Sequence, residues 1–358
     1  MLRKTLRGTK SIAFLALFLW STVAIMLSKG LNNIKVSVIL FPTFLISSTL
    51  IYLKILLNRE PQKTSFKTIF PKKKLTRFSG IFLMFGYHLF LFKGLKTSPK
   101  VETNLVNFLW PLLMILFGYI IFNNKNIYKK VKTTLGNGSK IIKPDDINID
   151  AYGFLQIIFA FIGLVLITTH GDFNHISFAS WQGPLLGLIA ANCLAILSII
   201  LKFQGNTSYI SSFIFGTTFL SGLFWAGQDF PNLLNTKTLL ISLYLGLFPF
   251  GIAMLLWESA IKRGCTHEIA TFSFIAPFLS TCLLFIFGYD NVNTYSFIGF
   301  ILIIVANMKR GSLLEILKTG KPKVIPENII FVKDGEHKLS NFTKRNVHHL
   351  NKSESGDH

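Results

Sequence analysis

The sequence predicts an all-α polytopic membrane protein of about ten transmembrane helices, arranged as two inverted five-helix repeats. Three observations predict it. First, 51% of the 358 residues are hydrophobic and 36 are Phe. They gather into about ten runs of the length, roughly 17–25 residues, that a bilayer core requires of a helix. Second, the 37 Lys and Arg behind a net charge of +21 lie almost wholly on one side of those runs. Third, Lys96-x5-Glu102-x8-Pro111 recurs 166 residues later as Lys262-x5-Glu268-x8-Pro277, with Gly80 and Gly246 sixteen residues ahead of each Lys. Five crossings separate the copies. An odd number turns one half upside down relative to the other, as in many secondary transporters.

In chain order, residues 1–10 are a cytoplasmic N-terminus whose Arg3, Lys4, Arg7 and Lys10 precede run 1 at 11–31. This run is long and lacks a small-x-small cleavage site, so it reads as a helix rather than a signal peptide. Runs 2 to 4 follow at 36–57, 76–96 and 103–122, and 11–122 forms the first repeat up to helix 4. A basic cytoplasmic loop covers 123–150. Residues 151–308 hold run 5 (151–169), which belongs to the first repeat, and the second repeat at 182–202, 209–228, 238–261, 267–287 and the short 295–308. A basic cytoplasmic tail covers 309–358, where Leu313, Leu314, Ile316 and Leu317 suit a short interfacial helix.

With this arrangement 30 of the 37 Lys and Arg are cytoplasmic. Only Lys35, Lys96, Lys100 and Lys237 fall on the other side, and Lys29, Lys54 and Lys93 lie inside runs. This positive-inside asymmetry sets both termini in the cytoplasm, across a bacterial inner membrane. The cluster Lys72, Lys73 and Lys74 then calls for membrane lipid rather than nucleic acid. Cys193, Cys265 and Cys282 have neither metal-ligand nor disulfide spacing.

Lys96 and Lys262 stand at helix C-terminal ends, and Glu102 and Glu268 in the first turns that follow. There each complements the helix macrodipole, worth about 0.3–1 kcal/mol. Pro111 and Pro277 lie inside runs, where each removes a backbone hydrogen bond. The freed carbonyls point to kinks, or to a cavity between runs 4 and 9. A weaker match pairs Ile39-Leu40-Phe41-Pro42-Thr43 with Phe213-Ile214-Phe215-Gly216-Thr217, followed by Ser47 and Ser221 at one offset.

Several residues carry a further resemblance: Leu19-Trp20-Ser21, Leu95-Lys96 with Asn107-Phe108-Leu109-Trp110-Pro111, and Trp257-x-x-Ala260-Ile261-Lys262 with Phe274-Ile275-Ala276-Pro277. Over residues 11–308 the chain resembles the drug/metabolite transporter superfamily, in its ten-helix, EamA-like branch. The resemblance implies two five-helix halves with both ends cytoplasmic. It also implies Gly-Glu just after runs 4 and 9, where this chain has Asn123-Asn124 and Tyr289-Asp290.

Polar side chains inside runs mark functional candidates. Trp20, Ser21 and Thr22 offer stacking beside two hydroxyls, or ordinary helix packing. Tyr87 and His88 stand near the centre of run 3. His88 suits a proton carrier, or a neutral ring bonded to a neighbour, and its repeat equivalent is Met254. Asn104, Asn107 and Trp110 share one face beside Pro111, where run 9 has Ala270, Ser273 and Ala276. Asn192 is the mid-run amide of run 6. Glu258 is a coupling candidate or an i, i+4 partner of Lys262. Lys29 and Lys93 suit snorkelling, and His170-Gly171-Asp172 with His175 suit a solvated loop.

The residues contain no phosphate loop, metal-binding helix or nucleophile elbow, so neither an enzyme nor a cofactor is expected. The reading is a secondary transporter of small organic metabolites, an amino-acid or related exporter working by alternating access. Trp20, Ser21, His88, Asn107, Trp110 and Asn192 lead its substrate contacts. The alternatives are uptake of a nucleotide-like metabolite such as S-adenosylmethionine, and a non-transporting receptor or scaffold. No residue sets an oligomeric state.

Overall fold

The computed structural model describes residues 2–23, 25–26, 34–57, 70–71, 73–97, 100–135, 151–173, 181–204, 209–226, 236–288 and 293–308. All lie within the compact unit Met1–Met308. Lys29, Lys72, His175, Tyr289, Asp290 and the tail from Lys309 fall outside them.

Run 1 is α1 (Leu2–Ser21), run 2 is α2 (Val36–Leu56) and run 3 is α3 (Lys74–Thr97). Run 4 divides into α4 (Lys100–Asn107) and α5 (Trp110–Asn123), and α6 (Lys125–Leu135) follows within the basic loop. Run 5 is α7 (Ala151–Thr169), run 6 is α8 (Gln182–Phe203) and run 7 is α9 (Ile210–Ala226). Run 8 divides into α10 (Thr236–Leu247), a π-helical turn (Phe248–Ile252) and α11 (Ala253–Arg263). Run 9 gives α12 (Thr266–Ser273) and α13 (Ile275–Ile286), and run 10 gives α14 (Thr294–Ala306).

Among the described residues, seven stretches are long and apolar enough to cross a membrane, at runs 2, 3, 4, 5, 6, 8 and 9. Runs 1, 7 and 10 give the shorter apolar helices Gly8–Ser21, Ile210–Ala226 and Thr294–Ala306. Large side chains face outward along these helices, with Phe154 60%, Phe219 68% and Ile286 71% exposed. In water such a surface would drive aggregation; in lipid it is the expected outer face.

Because lipid tails are as apolar as Leu, helices in a bilayer associate through close packing and small residues. The pairing of α7 with α14 shows how. A Cβ built on Gly163 would lie 2.5 Å from the Gly299 carbonyl oxygen, and one on Gly299 would lie 2.6 Å from that of Gly163. The flanking contacts exchange in the same way, Gly163 with Leu302 and Ile303, and Gly299 with Leu166 and Ile167. The helices are antiparallel, since Tyr152 and Gln156 near the start of α7 donate to the Met308 carbonyl beyond the end of α14. At the other end His170 Nδ1 lies 3.2 Å from Ser296 Oγ. The sequence beneath this local two-fold is Phe161-Ile162-Gly163-x-x-Leu166-Ile167 against Phe297-Ile298-Gly299-x-x-Leu302-Ile303.

The other contacts also come in corresponding pairs. α3 packs on α8 and α1 on α11, while α4 and α5 pack on α8 and α13 packs on α1. α10 packs on α2 and α9 on α3, while α2 meets α9 and α5 meets α12. Gly80 is seated against the Phe213 ring of α9, and Gly246 against the Thr43 carbonyl of α2. Among the described residues three buried apolar clusters result, one of them around Leu164, Phe274 and Ile303. A second surrounds Trp257 with Leu17, Trp110, Met114 and Leu194, and the third surrounds Phe44 with Met84, Phe213 and Phe250.

Candidate functional site

The two prolines break their helices at one and the same spacing. A helical proline has no N–H for the carbonyl four residues earlier, so Pro111 releases the carbonyl of Asn107 and Pro277 that of Ser273. α4 ends at Asn107 and α12 ends at Ser273. Each break is closed by a tighter turn, Leu109 N–H to the Val106 carbonyl (3.1 Å) and Phe274 N–H to the Thr271 carbonyl (3.3 Å).

A third irregularity lies in run 8. Pro249 cannot donate an amide hydrogen, and the helix widens into the π turn Phe248–Ile252, a form that often occurs at functional sites. Two neighbouring helices occupy carbonyls here. Trp20 Nε1 donates to the Pro249 carbonyl at 2.9 Å, and Ser47 Oγ donates to the Gly246 carbonyl at 2.8 Å.

Three indoles meet between these irregularities. Trp257 lies 5.3 Å by ring centroid from Trp20, tilted 48°, and 5.3 Å from Trp110, at 87°. Edge-on pairs such as Trp110–Trp257 add about 0.5–1.5 kcal/mol beyond area burial. Ser198 Oγ accepts from Trp257 Nε1 at 3.1 Å, which fixes that ring. Ser21 Oγ donates to the Leu17 carbonyl (2.7 Å) and reaches the Ala276 carbonyl beside Pro277 (3.1 Å). Thr22 Oγ1 donates to the Leu19 carbonyl and accepts from the Tyr244 hydroxyl, each at 2.7 Å.

Beside the indoles is a polar node. The Tyr87 hydroxyl lies near the Asn107 side chain, and the buried Asn107 Oδ1 has no partner among the described residues. His88 Nδ1 is 2.8 Å from the Met84 carbonyl. A carbonyl only accepts, so Nδ1 carries the proton and Nε2 is left as an acceptor. Nε2 is buried without a partner among the described residues, and the His88 ring is enclosed by those of Phe44, Tyr87 and Phe250 at 4.9, 4.8 and 4.3 Å. Unpaired buried acceptors cost about 1–3 kcal/mol each. Together, aromatic faces and unpaired acceptors suit a flat organic group carrying hydrogen-bond donors.

The model of the EamA-like transporter family matches residues 10–131 and 181–308. The chain belongs to that family. It is a membrane transporter of the drug/metabolite superfamily and an integral membrane protein. It is 27% identical over 219 residues to an aromatic amino acid exporter, YddG, of Ancylobacter novellus, covering 59% of this chain and 66% of that one. It therefore spans just under two thirds of that exporter's length. It is 23% identical over 251 residues to an uncharacterized transporter, YyaM, of Bacillus subtilis, covering 67% and 73% of the two chains. A solved crystal structure at 23% identity shares the fold, with a TM-score of 0.65 over 84% of this chain and 96% of the other.

In this EamA-like transporter Trp20, Ser21, Thr22, Tyr87, His88, Asn107 and Trp110 cluster around the helix irregularities. Ser273, Asn192 and Glu258 have partners of their own. Ser273 is buried and its hydroxyl donates to the Ile269 carbonyl of its own helix (2.8 Å). The amide of Asn192 likewise donates to the Leu188 carbonyl (2.9 Å). Asn104 is half-buried one turn before Asn107. Glu258 pairs with Lys262 at 2.8 Å, and its carboxylate accepts from the Tyr209 and Ile210 amides at 3.0 and 3.3 Å, capping α9. Asn124, standing where Gly-Glu is usual, caps α6 by accepting from the Asn126 and Ile127 amides at 3.0 and 3.1 Å. His170 turns the chain with a φ of 53°, followed by Gly171 at 76°.

Sequence reasoning overlooked Trp257 and Pro249 as parts of the site. A fourth tryptophan inside an apolar run, eight residues after a proline, was the available signal.

Proposed function

We propose that this chain is a secondary exporter of aromatic amino acids or closely related metabolites, working by alternating access between two inverted five-helix halves. The observation that carries the substrate reading is the Trp20–Trp257–Trp110 group, set against the paired helix breaks with unpaired acceptors at Asn107 Oδ1 and His88 Nε2. An aromatic side chain stacks on indole faces, and an ammonium group supplies the donors that those acceptors lack. The name of the exporter relative, aromatic amino acid exporter, supports both the substrate class and the outward direction.

Inverted halves are supported by the antiparallel two-fold contact of α7 with α14 and by the exchange of helix partners between the repeats. The positive-inside distribution supports cytoplasmic termini in a bacterial inner membrane. Trp20 and Ser21 tie α1 to run 8 and run 9, so rocking of the halves would change both contacts together.

The test is flux from proteoliposomes loaded with phenylalanine, tyrosine, tryptophan or a panel of aliphatic amino acids. Saturable aromatic flux is expected, with Trp110→Ala or Asn107→Ala weakening it by about two- to ten-fold, the range of one aromatic or hydrogen-bond contact. Asn192→Ala serves as a control outside the cluster, with flux near the parent's. Flux of S-adenosylmethionine without any amino acid, or binding without flux, would overturn the proposal. Normal flux in His88→Ala would remove His88 from proton coupling and from substrate contact alike.

A further inference from the structure

The basic loop after run 4 contains a built surface that the transport reading does not use. α6 begins one residue after α5 ends, with Asn124 as the link and cap. Its inward face carries Tyr128 and Val131, packed on the Trp257 cluster, and Leu135, packed on the Phe44 cluster. Tyr128 lies against the rings of Phe122 and Phe203 at 5.5 and 6.0 Å. Its C-terminal end is held by three side chains. Lys73 donates to the Thr133 carbonyl, while Thr76 and Gln204 reach the Leu135 carbonyl. α6 thus straps the ends of α3, α5 and α8 at one edge of the membrane.

The rest of this helix is cationic. Lys125, Lys129 and Lys130 are exposed and Lys132 is half-buried, and the exposed Ile127 lies among them. No acid occurs in α6, and among the described residues none of these four ammonium groups has a carboxylate partner. A cationic helix fixed one residue from a membrane-spanning segment has its charges within a Debye length of the headgroups. Its lysine stems are long enough to turn toward them.

We propose that α6 is a docking surface for anionic phospholipid, with Lys125, Lys129, Lys130 and Lys132 contacting headgroup phosphates. The partner is identified by charge complementarity and by the strap's place at the end of spans, since bilayer lipid is the anion always present there. The bound headgroups hold α6 down on the ends of α3, α5 and α8.

The full chain, reconstituted in phosphatidylcholine vesicles with or without phosphatidylglycerol, tests this through amide hydrogen exchange over residues 125–135. Exchange is expected to slow by at least about five-fold with phosphatidylglycerol, the worth of a single lysine at such a surface, and to recover in high salt. A variant with all four lysines changed to Gln should lose the lipid dependence, and one with all four changed to Arg should keep it. Equal exchange in the two vesicle types would overturn the proposal, as would a dependence retained by the Gln variant. Slowing by soluble glycerophosphate in phosphatidylcholine vesicles would assign the surface to a free phosphate instead and overturn the lipid reading. None of these readouts depends on which substrate is transported.

Discussion

At Glu258 the sequence allowed two roles, and the surroundings chose a third that includes one of them. Its i, i+4 bond to Lys262 was readable from spacing alone. Its bonds to the Tyr209 and Ile210 amides, 49 and 48 residues away, were not. Lys202, also buried, donates to the Ile261 and Gly264 carbonyls and so closes the end of α11. Both helix ends are therefore satisfied by charged side chains from neighbouring spans. Glu258→Ala would remove the Lys262 ion pair and the acceptor of the two amides, and breaking a buried pair costs about 3–5 kcal/mol. Glu258→Gln keeps the acceptor for the amides and should cost less. Thermal unfolding in detergent should rank the two in that order, and equal melting temperatures would refute the capping role. The candidate residues divide by the same logic. Asn107 and His88 have acceptors that nothing among the described residues satisfies, whereas the Ser273 hydroxyl and the Asn192 amide each donate to a carbonyl of their own helix.

The prolines were legible as interruptions because the loss of an amide hydrogen is local chemistry. Where the chain widens into a π turn at Phe248–Ile252 was not legible, because Trp20 and Ser47 complete its carbonyls from other helices. In sequence α6 resembles a basic loop, since its lysines hide the spacing of Tyr128, Val131 and Leu135. α7 pairs with α14 where two glycines let the backbones touch. Gly163→Leu and Gly299→Leu should each separate these helices and cost about 1–3 kcal/mol through overpacking. The local two-fold makes the two losses similar. Together they should be far from additive, because the second change enters a contact already broken. Steric-trapping or denaturant unfolding would measure this, and additive losses would show that the glycines act separately.

For the whole molecule, the arrangement makes a prediction about sides. In a chain freed of Cys193, Cys265 and Cys282, single cysteines at Lys74 and Lys125 should react with an impermeant maleimide from one face of the membrane. Those at Thr236 and Thr294 should react from the other. Labelling of Lys125→Cys and Thr294→Cys from the same face would rule out ten crossings in the proposed order.

The sequence by itself determined that this chain is helical and membrane-embedded, that one Lys-Glu-Pro spacing occurs twice, and where the prolines fall. Each follows from quantities local to the chain: apolar run length, the side on which basic residues gather, and the missing amide of proline. Tertiary structure alone decided that Trp257 joins Trp20 to Trp110, that Asn107 meets Tyr87, and that Glu258 caps a neighbouring helix. Those contacts depend on how helices far apart in sequence cross, and lipid-exposed and buried faces are too alike in composition for apolar periodicity to reveal the crossing. Inside a bilayer, small residues and backbone hydrogen bonds set it instead.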